Sequence, residues 1–125
     1  MSENIQEGAR AWIGLNRKHL RHNIRLLQER LPQGCRLMPA VKANAYGHGT
    51  AFVVGECLRA GIEDFCVATA EEGVQVRRQG AKGTVLVLGY TPPEQFGLLE
   101  RFRLTQTAVD YEYARKLNGY GKPLR

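Results

Sequence analysis

Hydrophobic and polar positions follow two rhythms along this chain, and the first of them predicts an N-terminal helix. Four apolar residues recur at spacings of four, three and four: Leu20, Ile24, Leu27 and Leu31. This spacing places them on one stripe of a helix that begins after the N-cap candidate Asn16 and ends at Pro32. Residues 11–15 alternate weakly in polarity, which predicts a short strand before this helix.

The second rhythm is an alternation of short apolar runs with helical patterns. We expect strands at residues 37–41, 64–68, 84–88 and 104–109, with helices after each, the first over residues 50–60. Thr69 with Glu72 and Thr91 with Glu94 fit capping boxes, and Asp110 is placed to cap the last helix. Four strand–helix units predict an α/β fold with a parallel sheet and right-handed crossovers. The pattern fits either a small open doubly wound sheet or part of a (β/α)8 barrel.

Length and composition limit this sequence to one modest domain. The 125 residues are 43% hydrophobic and 24% charged, as is ordinary for globular proteins, and no run approaches the roughly 20 apolar residues that span a bilayer. The polar start lacks the apolar core of a signal peptide, so we expect residues 1–9 to be a flexible leader before a domain over residues 10–125.

Cysteine usage and charge exclude further classes. Cys35, Cys57 and Cys66 form no CxxC pair and have no histidine at ligand spacing, which argues against a disulfide framework or a metal site. We expect a reducing, cytoplasmic location, with Cys57 and Cys66 as small core residues. The net charge of +6 is scattered over several helices without interleaved aromatic residues, so we expect no nucleic-acid partner.

Lys42 is the candidate catalytic residue because it ends an apolar strand. Regular alternation places Met38, Ala40 and Lys42 on one face, where the small Ala40 leaves room for a flat ligand. Gly47 and Gly49 then permit a tight turn before the next helix. A reactive amine here suits covalent binding of a carbonyl cofactor. Spacing alone would favour the simpler interpretation, a lysine that extends its ammonium to solvent.

The motif around this lysine changes that balance. The string AVKANAYGHG, residues 40–49, resembles the pyridoxal-phosphate signature of the alanine racemase family. The resemblance continues through residues 10–13, 22–23, 65–68 and 85–90. Within the family, residues 104–111 most resemble the serine or alanine racemases linked to vancomycin resistance.

This resemblance implies a fold and a set of cofactor contacts. The fold is the N-terminal part of a (β/α)8 barrel, which in the family is followed by a β domain and forms a homodimer. The cofactor is pyridoxal 5'-phosphate. Lys42 is expected to bind it covalently and to act as one of two opposed bases, Tyr46 to contact its phosphate, and Ala40 and Leu88 to lie near its ring.

Structural roles are also expected for three residues of the turn, Asn44, Tyr46 and His48. Without the motif, Tyr46 would be interpreted as a packed aromatic residue. Asn44 is expected to hold the turn. His48, between two glycines, either bonds the turn or supports a cofactor-binding residue.

The implied activity is isomerisation of an amino acid, L-alanine to D-alanine for peptidoglycan precursors, with serine as an open alternative. In the family the barrel and β domain continue beyond the point that matches Arg125, and they carry the opposing tyrosine base. We therefore expect this chain to be inactive by itself, as a fragment or a piece completed by another chain. If the chain belongs to a longer racemase of the vancomycin-resistance type, the resemblance allows that longer protein to carry a membrane anchor.

Two other functions remain possible at this point. One is a barrel of the cofactor-homeostasis type, which binds pyridoxal phosphate without racemising amino acids. The other is an inactive α/β fragment that serves as an interaction module.

Overall fold

A three-stranded parallel sheet with helices against one face forms the frame of the protein in a computed structural model that describes residues 8–125. The strands are β1 (Phe65–Val67), β2 (Val85–Val87) and β3 (Thr105–Gln106), in that order across the sheet. This confirms the predicted parallel α/β arrangement. Most of the predicted leader, residues 1–7, lies outside the described residues.

Within the described residues, six helical segments accompany the sheet: α1 (Arg17–Glu29), α2 (Lys42–Tyr46), α3 (Thr50–Arg59), α4 (Ala70–Arg78), α5 (Phe96–Arg101) and α6 (Tyr111–Asn118). A 3-10 turn, Pro93–Gln95, leads into α5. Among residues 8–125, no helix is both long and apolar enough to cross a membrane.

The two faces of the sheet differ in burial. Phe65 pairs with Val85 and Val67 pairs with Val87, and all four side chains are fully buried on the face that α4 covers. The residues between them, Cys66 and Leu86, point the other way and are only half-buried. A doubly wound sheet needs helices on both faces, whereas a barrel strand has helices outside only. The one-sided covering therefore favours the barrel.

The strands are shorter than the apolar runs predicted. Residues 37–41 form one bridge, in which Ala40 pairs with Cys66. Because Pro39 has no N–H, it cannot donate the next hydrogen bond that would extend this ladder toward Asp64. The run at 104–109 pairs over two residues, and residues 11–15 form no strand, so that prediction was wrong: Trp12 is 69% exposed.

Helix α1 follows its prediction at its start and departs from it further along. The Asn16 side chain accepts a hydrogen bond from the His19 amide at 3.0 Å, which confirms the N-cap. Ile24 is buried, but Leu27 of the predicted stripe is 57% exposed. The helix packs on α3, and this contact covers only part of its apolar stripe.

A buried carboxylate ties α1 to α3. Glu56 of α3 is 1% exposed, and its oxygens pair with Arg17 Nε at 3.0 Å, Arg59 Nη1 at 2.7 Å and Arg21 Nε. The hydrogen bond from Arg21 is the main cause that lowers the pKa of Glu56, and the charges of all three arginines lower it further against the cost of burial. The carboxylate therefore stays ionised inside the helix–helix contact.

The second predicted capping box is wrong. Thr91 is buried, and its hydroxyl donates to Gln106 Oε1 at 2.6 Å instead of capping a helix. The Tyr113 hydroxyl donates to the Thr91 carbonyl at 2.7 Å and accepts from the Thr91 amide at 3.2 Å. This network joins β3 to α6, so the polar side chain of Thr91 serves a tertiary contact rather than a local one.

Of the two cysteines predicted to lie in the core, Cys57 is buried and Cys66 is not. Cys57 is 2% exposed, as predicted, and burial raises the pKa of its thiol to about 11. Cys66 is half-buried on the uncovered face of the sheet, so it is not a core residue.

Candidate functional site

Three of the four predicted site residues, Ala40, Lys42 and Leu88, lie in or just after the bridge and the strand that flank Cys66. The register aligns Ala40 with Cys66, and Cys66 with Leu86. Leu88 follows Leu86 by two residues at the carboxyl end of β2, and its amide still donates to the Val67 carbonyl. Lys42 directly follows Val41 at the start of a helical segment, and its ammonium is close enough to Cys66 to influence the pKa of that thiol. In parallel α/β folds, ligands bind at the carboxyl ends of the strands.

Lys42 lies at the border of the sheet's uncovered face, and its amine forms no ion pair with any of residues 8–125. The side chain is partly buried. Its charge reaches Cys66: burial raises the pKa of the Cys66 thiol, and the Lys42 ammonium opposes that increase. The amine is therefore available for a ligand on the uncovered face.

The segment that follows Lys42 is one turn of left-handed helix, α2. Ala43, Asn44, Ala45 and Tyr46 have φ angles of 51°, 55°, 53° and 54°, and none of them is glycine. Each such residue costs roughly 1–2 kcal/mol relative to a right-handed conformation. Gly47 follows with φ 86°, where the absence of a Cβ makes the positive value inexpensive. Such strain persists only where surrounding contacts hold it.

Hydrogen bonds inside the segment supply part of that support. Asn44 Oδ1 accepts from the Thr50 amide at 2.9 Å and lies 3.3 Å from the Thr50 hydroxyl, so it joins the turn to the start of α3. His48 Nδ1 lies 3.1 Å from the Ala45 carbonyl oxygen. Asn44 thus holds the turn as predicted, and of the two readings of His48 the geometry favours bonding of the turn.

Glu72 contacts the turn from another element. Its Oε1 accepts from the Ala43 amide at 2.8 Å, and its Oε2 accepts from the Ala68 amide at 2.7 Å. The capping box predicted that Glu72 would reach back to the Thr69 amide. One half is confirmed, since the Thr69 hydroxyl accepts from the Glu72 amide at 3.2 Å. The carboxylate itself is used for the residue beside Lys42, which the sequence did not indicate.

The other residues at this end of the sheet divide into two groups. Tyr46 and Leu88 are 61% and 40% exposed, and the Tyr46 hydroxyl has no hydrogen-bond partner within the described part of the chain. Asp110 caps α6 by accepting from the Tyr113 amide, and Tyr90 packs on the Tyr113 ring at 4.8 Å. The first pair is available to a ligand, whereas the second has structural tasks.

These side chains fit a flat aldehyde ligand with a negatively charged group. A primary amine without an ion pair to residues 8–125 can condense with the aldehyde, and small Ala40 and apolar Leu88 are exposed nearby at the end of the sheet. The free phenol of Tyr46 can donate a hydrogen bond to an anionic oxygen. Pyridoxal phosphate combines these features.

Comparison with known proteins points to the same family. The model of the alanine racemase N-terminal domain matches residues 15–125. An amino-acid racemase of Enterococcus faecalis is 40% identical over 116 residues, which are 93% of this chain and 16% of the relative. An alanine racemase of Carboxydothermus hydrogenoformans is 41% identical over 103 residues, 82% of this chain and 28% of the relative.

A solved structure agrees with the fold. The alanine racemase from E. faecalis superimposes with a TM-score of 0.80 at 28% identity, over 86% of this chain and 29% of that one. The chain thus spans less than a third of each of these relatives. The resemblance to racemases linked to vancomycin resistance stays a prediction. With a family match over nearly its whole length and a parallel sheet covered on one face, this chain belongs to the alanine racemase family and folds as the N-terminal part of that family's (β/α)8 barrel.

Proposed function

We propose that this chain carries the cofactor-binding lysine of a pyridoxal-phosphate-dependent amino-acid racemase. The observation that carries the proposal is the position of Lys42 at the carboxyl end of the sheet's uncovered face, with an amine that pairs with no carboxylate within residues 8–125. A left-handed turn held by hydrogen bonds follows it, and family membership makes an amino acid the expected substrate. Similarity to alanine racemases such as that of Carboxydothermus hydrogenoformans favours alanine, with serine as the alternative.

Each residue of the site has a separate task in this proposal. Pyridoxal phosphate, when bound, supplies a ring that accepts electrons and so makes the Cα proton of an amino acid removable. Lys42 holds the cofactor covalently and, as a free amine, takes or returns a proton at one face of the substrate. Tyr46 donates a hydrogen bond to the phosphate, while Ala40 and Leu88 border the ring.

Racemisation also needs a second base on the opposite face of the substrate. We assign that base, and the groups that surround the ring nitrogen, to the remaining barrel, the β domain and the partner subunit of a homodimeric enzyme. The proposed location is the cytoplasm. On this proposal the 125-residue chain alone does not convert L-alanine to D-alanine.

Reductive labelling tests the central assignment. The chain is incubated with pyridoxal phosphate, so that condensation with an amine releases water and leaves a C=N bond, and borohydride then reduces that bond. Peptide mapping compares Lys42 with the other lysines, Lys18, Lys82, Lys116 and Lys122. Label concentrated on Lys42 is expected. Label spread evenly over the five lysines would overturn the assignment.

A variant and an activity assay separate the alternatives. Lys42→Arg keeps the charge but removes the primary amine, so it should lose the selective label while the far-UV circular dichroism is unchanged. Selective label in a full-length protein that leaves L-alanine unchanged would favour the cofactor-homeostasis type of barrel over a racemase.

A further inference from the structure

We infer that Glu72 is a positioning residue for Lys42, fixing the peptide plane that follows the lysine and thereby the direction of its side chain. The inference rests on the proposed function only in that Lys42 is taken to bind the cofactor. The hydrogen bond between Glu72 and the Ala43 amide is a feature of this chain whatever its function. Glu72 lies on α4, 29 residues beyond Ala43, so its contact with the Ala43 amide is tertiary.

The Glu72 carboxylate connects two backbone segments, the turn after Lys42 and the end of β1. Its Oε1 accepts from the Ala43 amide at 2.8 Å, and its Oε2 accepts from the Ala68 amide at 2.7 Å, directly after β1. The Ala43 N–H and the Lys42 carbonyl belong to one planar peptide unit. The hydrogen bond therefore orients the backbone of Lys42 relative to the end of β1.

The turn needs such an external restraint. Four consecutive residues of α2 have positive φ, and their strain favours relaxation to right-handed or extended conformations. The hydrogen bonds of Asn44 and His48 connect the turn to residues within the same short segment, 41–50. Glu72 is the side chain outside that segment, within residues 8–125, that hydrogen-bonds to it. It fixes the segment to the frame of the sheet.

The chemistry requires a carboxylate rather than an amide. Both partners are N–H donors, so both oxygens must accept. A glutamine at this position has one oxygen and one NH2 group, and it leaves one of the two amides without an acceptor. Glu72→Gln therefore breaks one arm of the bridge with almost no change in volume. Glu71→Gln is the matched control, since the neighbouring carboxylate accepts from the Gln95 side chain instead.

The first test is NMR of the chain without cofactor. In the unsubstituted protein we expect a scalar coupling through the hydrogen bond between the Ala43 amide nitrogen and the Glu72 carboxyl carbon. In Glu72→Gln, exchange of the Ala43 or Ala68 amide hydrogen should accelerate at least about tenfold. The N–H residual dipolar couplings of Lys42 and Ala43 should change, and those of β2 should not.

The outcomes decide the inference in either direction. Unchanged exchange and dipolar couplings in a folded Glu72→Gln chain, or no coupling in the unsubstituted chain, would overturn it. Should Glu72→Gln not fold, the coupling in the unsubstituted chain decides alone. Equal changes in Glu71→Gln would show a general effect of charge on α4 and would also overturn it.

Reductive labelling with pyridoxal phosphate then separates positioning from mere stability. We expect the share of label on Lys42 to fall in Glu72→Gln under conditions where that variant is fully folded, and to be unchanged in Glu71→Gln. An unchanged share would contradict positioning. Absence of Lys42 label in the unsubstituted chain would instead refute the proposed function, and the NMR result would still decide whether Glu72 orients Lys42.

Discussion

Replacing Glu56 by glutamine removes the charge at the centre of the α1–α3 contact without changing its size. The carboxylate side chain is fully buried, whereas its partners Arg17, Arg21 and Arg59 are 56%, 52% and 62% exposed. Removing one member of a fully buried ion pair costs about 3–5 kcal/mol because the other charge is left without water. Here the arginines can turn into solvent, so each lost pair resembles a surface pair.

The expected loss of unfolding free energy is therefore about 2 kcal/mol, from three screened ion pairs and one poorly paired buried amide. Urea denaturation followed by circular dichroism at 222 nm measures it. The matched control is Glu112→Gln, which breaks an exposed pair with Arg115 at 3.8 Å and should cost less than about 0.5 kcal/mol.

The stabilisation that is lost in Glu56→Gln should also depend on pH, in a direction set by the lowered pKa of Glu56. The arginines lower the folded-state pKa of Glu56 below its ordinary value of 4.5, so the ionised carboxylate stabilises the fold above that pH. This contribution disappears as the pH falls through the folded-state pKa. The difference between the unsubstituted chain and Glu56→Gln should thus be constant from pH 6 to 8 and shrink below pH 4.5. A difference that stays the same in acid, or one near zero at pH 7, would refute the reasoning.

Three further variants or reagents test other contacts. Tyr113→Phe removes the hydroxyl that bonds both the amide and the carbonyl of Thr91, and urea denaturation should show a loss of about 1–3 kcal/mol; a loss within error would contradict the buried network. Asn44→Ala removes the acceptor for the first amide of α3 and should cost about 1–2 kcal/mol, whereas Asn44→Asp, which keeps an acceptor, should cost less. Burial raises the pKa of Cys57 to about 11, so at pH 8 a disulfide reagent should modify exposed Cys35 at once and Cys57 only at the rate of unfolding; similar rates for both thiols would contradict this.

Much of the fold was predictable because its signals are local. Asn16, Thr69 and Asp110 cap helices within three residues of themselves, and each cap is present. The apolar runs around Cys66 and Leu86 also mark true strands. Each cap bonds to an amide three residues away, and an apolar strand can be buried against any apolar surface, so neither signal depends on a specific distant residue.

The departures have partners that are distant in sequence. Thr91 has the local signature of a cap, but its hydroxyl finds Gln106, 15 residues away. The run ending at Val41 pairs over one residue because Pro39 faces the ladder without an N–H. Polarity patterns contain no information about which backbone groups face one another.

The site divides in the same way. The motif indicated Lys42 and Asn44, and Ala40 pairs with Cys66 on the uncovered face. Lys42 begins α2 instead of ending a strand, so the alternation predicted for Met38, Ala40 and Lys42 does not extend to it. The left-handed run was not predictable, since residue preferences assign such angles to glycine. Glu72 carried the signal of a helix cap and nothing that indicated Ala43.

The left-handed turn has a stereochemical consequence. Its φ and ψ values near +50° are the mirror image of ordinary helical angles, so a residue of the opposite hand would occupy them without strain. Ala43 is the suitable position because its side chain is exposed. A semisynthetic chain with D-alanine there should be more stable by about 1 kcal/mol.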